Sequence, residues 1–180
     1  VVTMNDVAIS SSLKVAGETF DSAIIRYLRR RHNVIIGPNA AEEAKITIGC
    51  VYERGQEVSM RTKGRDLKTG LPKEVELSST EIYEIFKRPA RQIVDEVTSV
   101  LEQTSPELVA DISVNGIVLT GGGCQLWGFD KLLTDWTGIP CTLADDADSC
   151  VGLGCGKSLQ WIGRMQEGTI NLARRKLMKE

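Results

Sequence analysis

Three consecutive glycines, Gly121, Gly122 and Gly123, close an apolar run that starts at Gly116 and passes through Ile117, Val118 and Leu119. Any chemistry there comes from the backbone. Without Cβ atoms such a turn lets a ligand lie against its N–H groups. An amphipathic segment from Leu126 predicts a helix whose positive end faces the same place. An anionic or nucleotide ligand fits that arrangement, and so does a glycine-rich βα turn that holds nothing. A second polar group, Glu42, Glu43 and Lys45, lies on a predicted helix. Glu42 and Lys45 are three apart and share a face; from the residues alone an ordinary surface ion pair explains them.

The remaining reactive side chains exclude more than they offer. His32 is the only histidine and follows Arg29, Arg30 and Arg31. It reads as a solvated residue at a helix end, so neither a histidine metal site nor a Ser-His-Asp mechanism is expected. The five cysteines, Cys50, Cys124, Cys141, Cys150 and Cys155, are odd in number and contain no C-x-x-C pair. They are expected to be reduced thiols in a cytosolic protein. No catalytic residue and no metal ligand is assigned. A formal charge of −2 gives no field for nucleic acid, and no apolar run is long enough to span a membrane. The run Arg29 to Arg31, with Lys176, reads as a solvated charged face. The chain opens at Val1 in strand-like residues with no signal peptide, and is expected to be the C-terminal half of a longer protein.

The elements that would position these groups follow from periodicity. Val7 to Ile9 and Leu13 to Val15 predict a strand pair across a serine turn. Phe20, Ala23, Ile24, Tyr27 and Leu28 recur at helical spacing. Asn39 is a candidate cap for a helix over 40–49. Strands are expected over 57–63 and 73–77. Ser78 to Glu81 has capping-box spacing, and Pro89 is expected to end that helix and start another. A third helix follows Pro106. Leu126, Phe129, Leu132, Leu133 and Trp136 form one stripe, stopped by Gly138 and Pro140. A short strand over 141–143 precedes a last core helix after Asp148 and Ser149, which includes Lys157, Leu159 and Ile162. Residues 1–16 and 78–163 are therefore expected to form one α/β unit, with strands from both ends in a shared sheet. Residues 17–77 form a smaller, largely polar inserted lobe, and 164–180 a charged tail.

Longer segments are more specific. Val15 to Ile25 (VAGETFDSAII), Ala41 to Gly49 (AEEAKITIG), Gly64 to Pro72 (GRDLKTGLP), Pro106 to Ile112 (PELVADI), Leu119 to Gly123 (LTGGG) and Thr137 to Pro140 (TGIP) appear in order. Together they resemble the bacterial actin-like MreB/Mbl family over residues 1 to about 163. The resemblance implies an α/β actin-like (ribonuclease H-like) domain: a mixed sheet flanked by helices, with an inserted smaller α+β subdomain. It corresponds to the second large domain of that fold, inner and outer subdomains included. It further implies ATP, with magnesium in the intact protein, and a cytoskeletal filament that maintains rod shape and organises cell-wall synthesis. Implied partners are further copies of the subunit and the cell-wall elongation machinery, including RodZ-like membrane partners, but no nucleic acid. The implied location is cytoplasmic, at the inner face of the membrane, which is reached only through parts outside this chain.

Carried onto this chain, the resemblance gives Gly121, Gly122, Gly123 and Cys124 the adenosine side of a nucleotide cleft. Glu42, Glu43 and Lys45 belong to the helix pair that addresses ribose and adenine. A carboxylate there accepts ribose hydroxyls while a lysine stem covers the base. The family's phosphate loops precede Val1, so ATP hydrolysis is a property of intact members and this chain alone is expected to be inactive. An actin-fold kinase or chaperone-type ATPase is the alternative. Trp127, where the family often has a charged or small residue, and Cys155, where Thr is common, point to a divergent paralogue.

Overall fold

The computed structural model describes residues 1–4 and 6–160. The expected tail over 164–180, with Lys176, and the helical position of Ile162 lie outside the described residues.

The chain opens with β1 (Val2–Thr3) and β2 (Asp6–Val7), an antiparallel pair. This differs from the expected strands at 7–9 and 13–15: residues 8–16 form neither helix nor strand, and Ser11 Oγ instead donates to Glu96. Helix α1 (Gly17–Arg31) then buries Phe20, Ala23, Ile24 and Leu28, as the periodicity predicts, and ends in three arginines that suit its negative end. His32 caps it and is not simply solvated. Its ring meets Tyr27 edge-on at 5.8 Å, and Nε2 lies 3.7 Å from Glu81 Oε1. Tyr27 donates to the same carboxylate at 2.5 Å, and burial, then that bond, push its phenol up to about 12.

Strand β3 (Val34–Ile35) occupies a stretch that reads as a connector; two residues are too few to show a period. Helix α2 (Pro38–Ile48) starts on Gly37 with Pro38 in its first turn, so Asn39 is inside it rather than its cap. Strands β4 (Ser59–Asp66) and β5 (Pro72–Ser78) make a ribbon with β3 at its edge. Arg61 faces Glu76, and Lys63 faces Glu74 across it. On the inner face Thr62 and Val75 pair beside Leu77 and are buried.

Ser78 and Glu81 form the predicted capping box: Glu81 N–H donates to Ser78 Oγ at 3.3 Å and Ser78 N–H to Glu81 Oε2 at 3.0 Å. The helix they start, α3 (Ser79–Gln103), runs straight through Pro89. A proline inside a helix costs about 3 kcal/mol. Ile82 and Phe86 before it and Ala90 and Val94 after it enter the same core, so their joint burial offsets that cost. Phe86 meets Phe20 edge-to-face with centroids 4.7 Å apart.

Helix α4 (Pro106–Asn115) leads to β6 (Ile117–Leu119), which pairs in parallel with β7 (Cys141–Leu143). The parallel pairing agrees with the sequence pattern; full burial does not hold, since Val118 is 65% exposed. Nor do the strands at the two ends share a sheet among the described residues: β1–β2 and β6–β7 are separate pairs. The β1–β2 pair and β6 line a trough of about 860 Å³, together with Val97 and Leu101 of α3 and Leu108 and Ile112 of α4.

Helix α5 (Phe129–Thr137) buries Phe129 and Leu133 and stops at Gly138, but leaves Trp136 54% exposed instead of in the stripe. Helix α6 (Cys150–Leu159) follows Ser149 and buries none of its residues, so it is not the expected core helix. One apolar cluster runs from Phe20 and Ile24 through Ile48 and Leu77 to Phe86, Val94 and Leu133. The 17–77 segment thus contributes much of the core and is not largely polar.

Candidate functional site

Two walls meet beside the glycine turn. The first is α2, whose buried residues Ala41, Ala44 and Ile48 fix the helix on its inner side. Its other side presents Glu42, Lys45 and Ile46, with Ile46 an exposed apolar side chain. The second wall is the segment after β6. Gly121 has φ +89°, a conformation that side chains strain to reach. Its N–H donates to Ala147 O at 2.6 Å, and Thr120 Oγ1 donates to the same oxygen at 3.1 Å. The turn is thereby pinned to the loop that carries Asp148.

The glycines do not lead directly into the predicted helix. Gly122–Gln125 form a single 3₁₀ turn. Leu126 is extended, and Gly128, at φ +79°, delays α5 to residue 129. A Cβ on Gly128 would stand 2.3 Å from Tyr52 Cβ, so packing as well as torsion requires glycine there. The positive end of α5 is therefore not directed at the glycines by a direct strand–turn–helix path. From this segment Gly122, Gly123, Gln125 and Leu126 line the pocket.

A clasp fixes the distance between the walls. Trp127 N–H donates to Gly49 O at 3.3 Å and Val51 N–H to Trp127 O at 3.0 Å, forming a bridge between Cys50 and Trp127. Trp127 thus packs at a junction, with Arg54 and Lys131 each 5.1 Å from its ring centroid. Cys50 donates to Ser79 O at 3.2 Å, and burial raises its thiol pKa.

The resulting pocket measures about 380 Å³. It brings together Glu42, Lys45, Gly122 and Gly123 from among the predicted residues, and leaves three outside. Glu43 is exposed and off the lining. Gly121 serves as the hinge of the turn. Cys124 is buried behind the wall, donating Sγ to Gly121 O at 2.8 Å, and burial raises its pKa; it braces the turn and does not face a ligand. A Cβ placed on Gly122 or Gly123 would meet nothing within 4 Å, so protein packing does not demand glycine at either position.

Lys45 does not pair with Glu42. Its ammonium donates to Asp21 Oδ2 at 3.0 Å, where both side chains are mostly buried. It also lies against the start of α1: a Cβ on Gly17 would stand 3.1 Å from Nζ. Asp21 Oδ1 is buried with no protein partner. The lining therefore has one cation, already compensated, and two carboxylates, Glu42 and Asp148, that no cation pairs among the described residues. Ile46 and Leu126 add apolar surface. Such a pocket accepts hydroxyl and amino donors and a flat apolar ring; it offers little to neutralise a polyphosphate. Gly17, Asp21, Gln125 and Asp148 are not singled out as site residues by the sequence. Asp21 carries no signal in its own neighbourhood, because its partner is 24 residues away. Asp148 reads only as a helix cap.

A sequence model described as MreB/Mbl protein matches residues 1–167. The chain is 43% identical over 162 residues to the cell shape-determining protein MreB of Escherichia coli K12, covering 90% of this chain and 47% of that protein. It is 40% identical over 165 residues to the cell shape-determining protein Mbl of Bacillus cereus, covering 92% and 50%. It spans about half the length of these relatives. Among solved structures, MreB5 of Spiroplasma citri bound to AMPPNP aligns with TM-score 0.83 at 39% identity, over 89% of this chain and 48% of that one. A MamK double helical filament aligns with TM-score 0.61 at 23% identity over 81% of this chain and 45% of that one, a likeness of fold alone.

Proposed function

Because this chain belongs to the MreB/Mbl family, we propose that it is the C-terminal half of an actin-like cytoskeletal subunit. The pocket between α2 and the glycine turn takes the nucleoside end of an adenine nucleotide. The observation that supports this most is the convergence of Glu42, Lys45, Gly122 and Gly123 on one pocket whose unpaired charges are carboxylates. Glu42 accepts ribose hydroxyls, the Lys45 stem and Ile46 cover one face of the base, and the bare backbone of Gly122 and Gly123 closes the other. Asp21 holds the Lys45 ammonium away from the ligand. The structural neighbour MreB5 is bound to AMPPNP in one structure and ADP in another, which supports an adenine nucleotide here.

The phosphates extend out of this pocket toward parts of the intact protein, where phosphoryl transfer takes place. Among the described residues no group of three His, Cys, Asp or Glu side chains could hold a metal. In the intact protein we place the subunit in filaments that govern cell shape, working with the cell-wall elongation machinery and a RodZ-like membrane partner at the inner membrane face. No described helix is long and apolar enough to cross a membrane. The division into an inner unit (1–16 and 78–163) and an inserted lobe (17–77) is retained as part of this proposal, with a core continuous across the boundary. The named relatives are cell-shape proteins, which does not favour the kinase or chaperone alternative.

Calorimetric titration of the chain with adenosine, ADP and ATP tests the reading. Adenosine is expected to bind weakly and the phosphates to add little. Glu42→Gln is expected to weaken adenosine roughly tenfold, the worth of a hydrogen bond to a charged group. Micromolar ATP binding with inert adenosine would refute it.

A further inference from the structure

All four cation–π contacts among the described residues fall on three neighbouring segments: α3, the 127–136 stretch and the 50–54 loop. The Arg91 guanidinium lies 3.6 Å from the Trp136 ring centroid, and the Lys87 ammonium 4.5 Å from that of Tyr83. Arg54 and Lys131 flank Trp127. Beside Trp136 opens a cleft of about 320 Å³ floored by Val51, Ala90, Val94 and Leu132, with Tyr83, Lys87 and Arg91 on its rim. It shares no lining residue with the glycine-turn pocket.

We propose that this cleft docks a short acidic–apolar segment of a partner protein. One large apolar side chain enters over Ala90 and Leu132, and a carboxylate on the same segment takes the free edge of Arg91. The volume of about 320 Å³ accommodates one large apolar side chain. Charge complementarity selects the second group. Arg91 spends Nε on Asp95 at 2.7 Å, and its Nη atoms have no partner among the described residues. Stacking on Trp136 holds that fork in place, so little freedom is lost when a carboxylate binds it. Three of the nearby acids are already engaged: Glu84 by Lys87, Asp95 by Arg91, and Asp135 by the Tyr52 hydroxyl at 2.5 Å. Arg54 and Lys131 have no carboxylate partner among the described residues. Exposed Trp with adjoining Arg and Tyr is the composition of an energetic centre in protein interfaces.

The test uses the isotope-labelled chain and the indole N–H signal of Trp136, assigned by Trp136→Phe. The probes are short acetylated, amidated peptides with one Phe or Leu and an Asp or Glu three or four positions away, and the same peptides with Lys replacing the acid. The acidic peptides are expected to shift the signal saturably and the Lys versions not to. Arg91→Ala is expected to weaken binding roughly tenfold or more. Arg91→Lys, which keeps the charge but loses the fork, should recover little of it. Both variants lie on the surface, and an unchanged amide spectrum reports intact folding. The proposal is overturned if no acidic peptide shifts Trp136 at millimolar concentration, if the Lys versions bind as well, or if Arg91→Ala binds undiminished. A shift produced only by anionic lipid vesicles or by RNA would overturn it too.

Discussion

Replacing Lys45 by Met removes the ammonium from a pair that is 14% and 16% exposed and leaves the Asp21 carboxylate with neither oxygen satisfied by protein. Breaking a buried pair from one side costs about 3–5 kcal/mol. Residual solvent access at both side chains reduces that, and about 2–3 kcal/mol is expected, a large share of a stability of roughly 5–15 kcal/mol. Asp21→Asn should cost less, because the neutral amide tolerates burial better than an unpaired carboxylate. The Lys45→Met/Asp21→Asn double variant should recover about 1–2 kcal/mol relative to the sum of the two, since the groups share one contact. Urea unfolding at low and high salt measures all four corners. The coupling should survive added salt, because buried pairs are little screened. A Lys45→Met cost below about 0.5 kcal/mol, or strict additivity, would mean the pair behaves as a surface ion pair and does not fix α2 against α1.

Single features carry the other expected outcomes. Pro89→Ala should stabilise the chain by about 1 kcal/mol: relief of roughly 3 kcal/mol of helix penalty, less about 0.8 kcal/mol for each buried methylene removed. A net loss in thermal or urea unfolding would show that the ring's packing dominates. Gly121→Ala should cost about 1–2 kcal/mol because of its positive φ. Gly122→Ala should leave unfolding unchanged yet weaken adenosine binding; unaltered binding in calorimetry would remove the turn from the ligand's path. The Asp66 carboxyl is held at about 2, first by the Thr69 and Lys68 N–H groups and then by Lys73. A carboxyl lowered from 3.8 stabilises the fold fully above that value and loses its contribution as pH falls toward about 2. Acid titration of unfolding should therefore lose part of its slope between those values in Asp66→Asn, and an identical acid limb would contradict the assignment.

Local signals are legible in the sequence. The α1 stripe at Phe20, Ala23, Ile24 and Leu28, the Ser78–Glu81 box and the Gly138 stop each depend on residues within a turn or two, and each is where its pattern puts it. The ordered family segments carry the fold class and the convergence of Glu42, Lys45 and the glycines. The features that stay hidden depend on distant partners. Pro89 looks like a boundary until the common core on both sides of it is known. Leu126 to Gly128 looks helical until Tyr52 and Gly49 are seen to hold it open. Trp136 belongs to the apolar stripe by period but lies under Arg91 in space. Lys45 has Glu42 within reach along the helix, yet Asp21 on another helix takes it.

A crystal structure of this chain with ADP tests the central claim most directly. The account predicts adenine and ribose between α2 and the glycine turn, with the ribose hydroxyls on Glu42, the base against Gly122 and Gly123, and the phosphates leading out of the pocket. Phosphates seated among Glu42, Lys45 and Gly123, or a nucleotide bound elsewhere on the chain with this pocket empty, would contradict it.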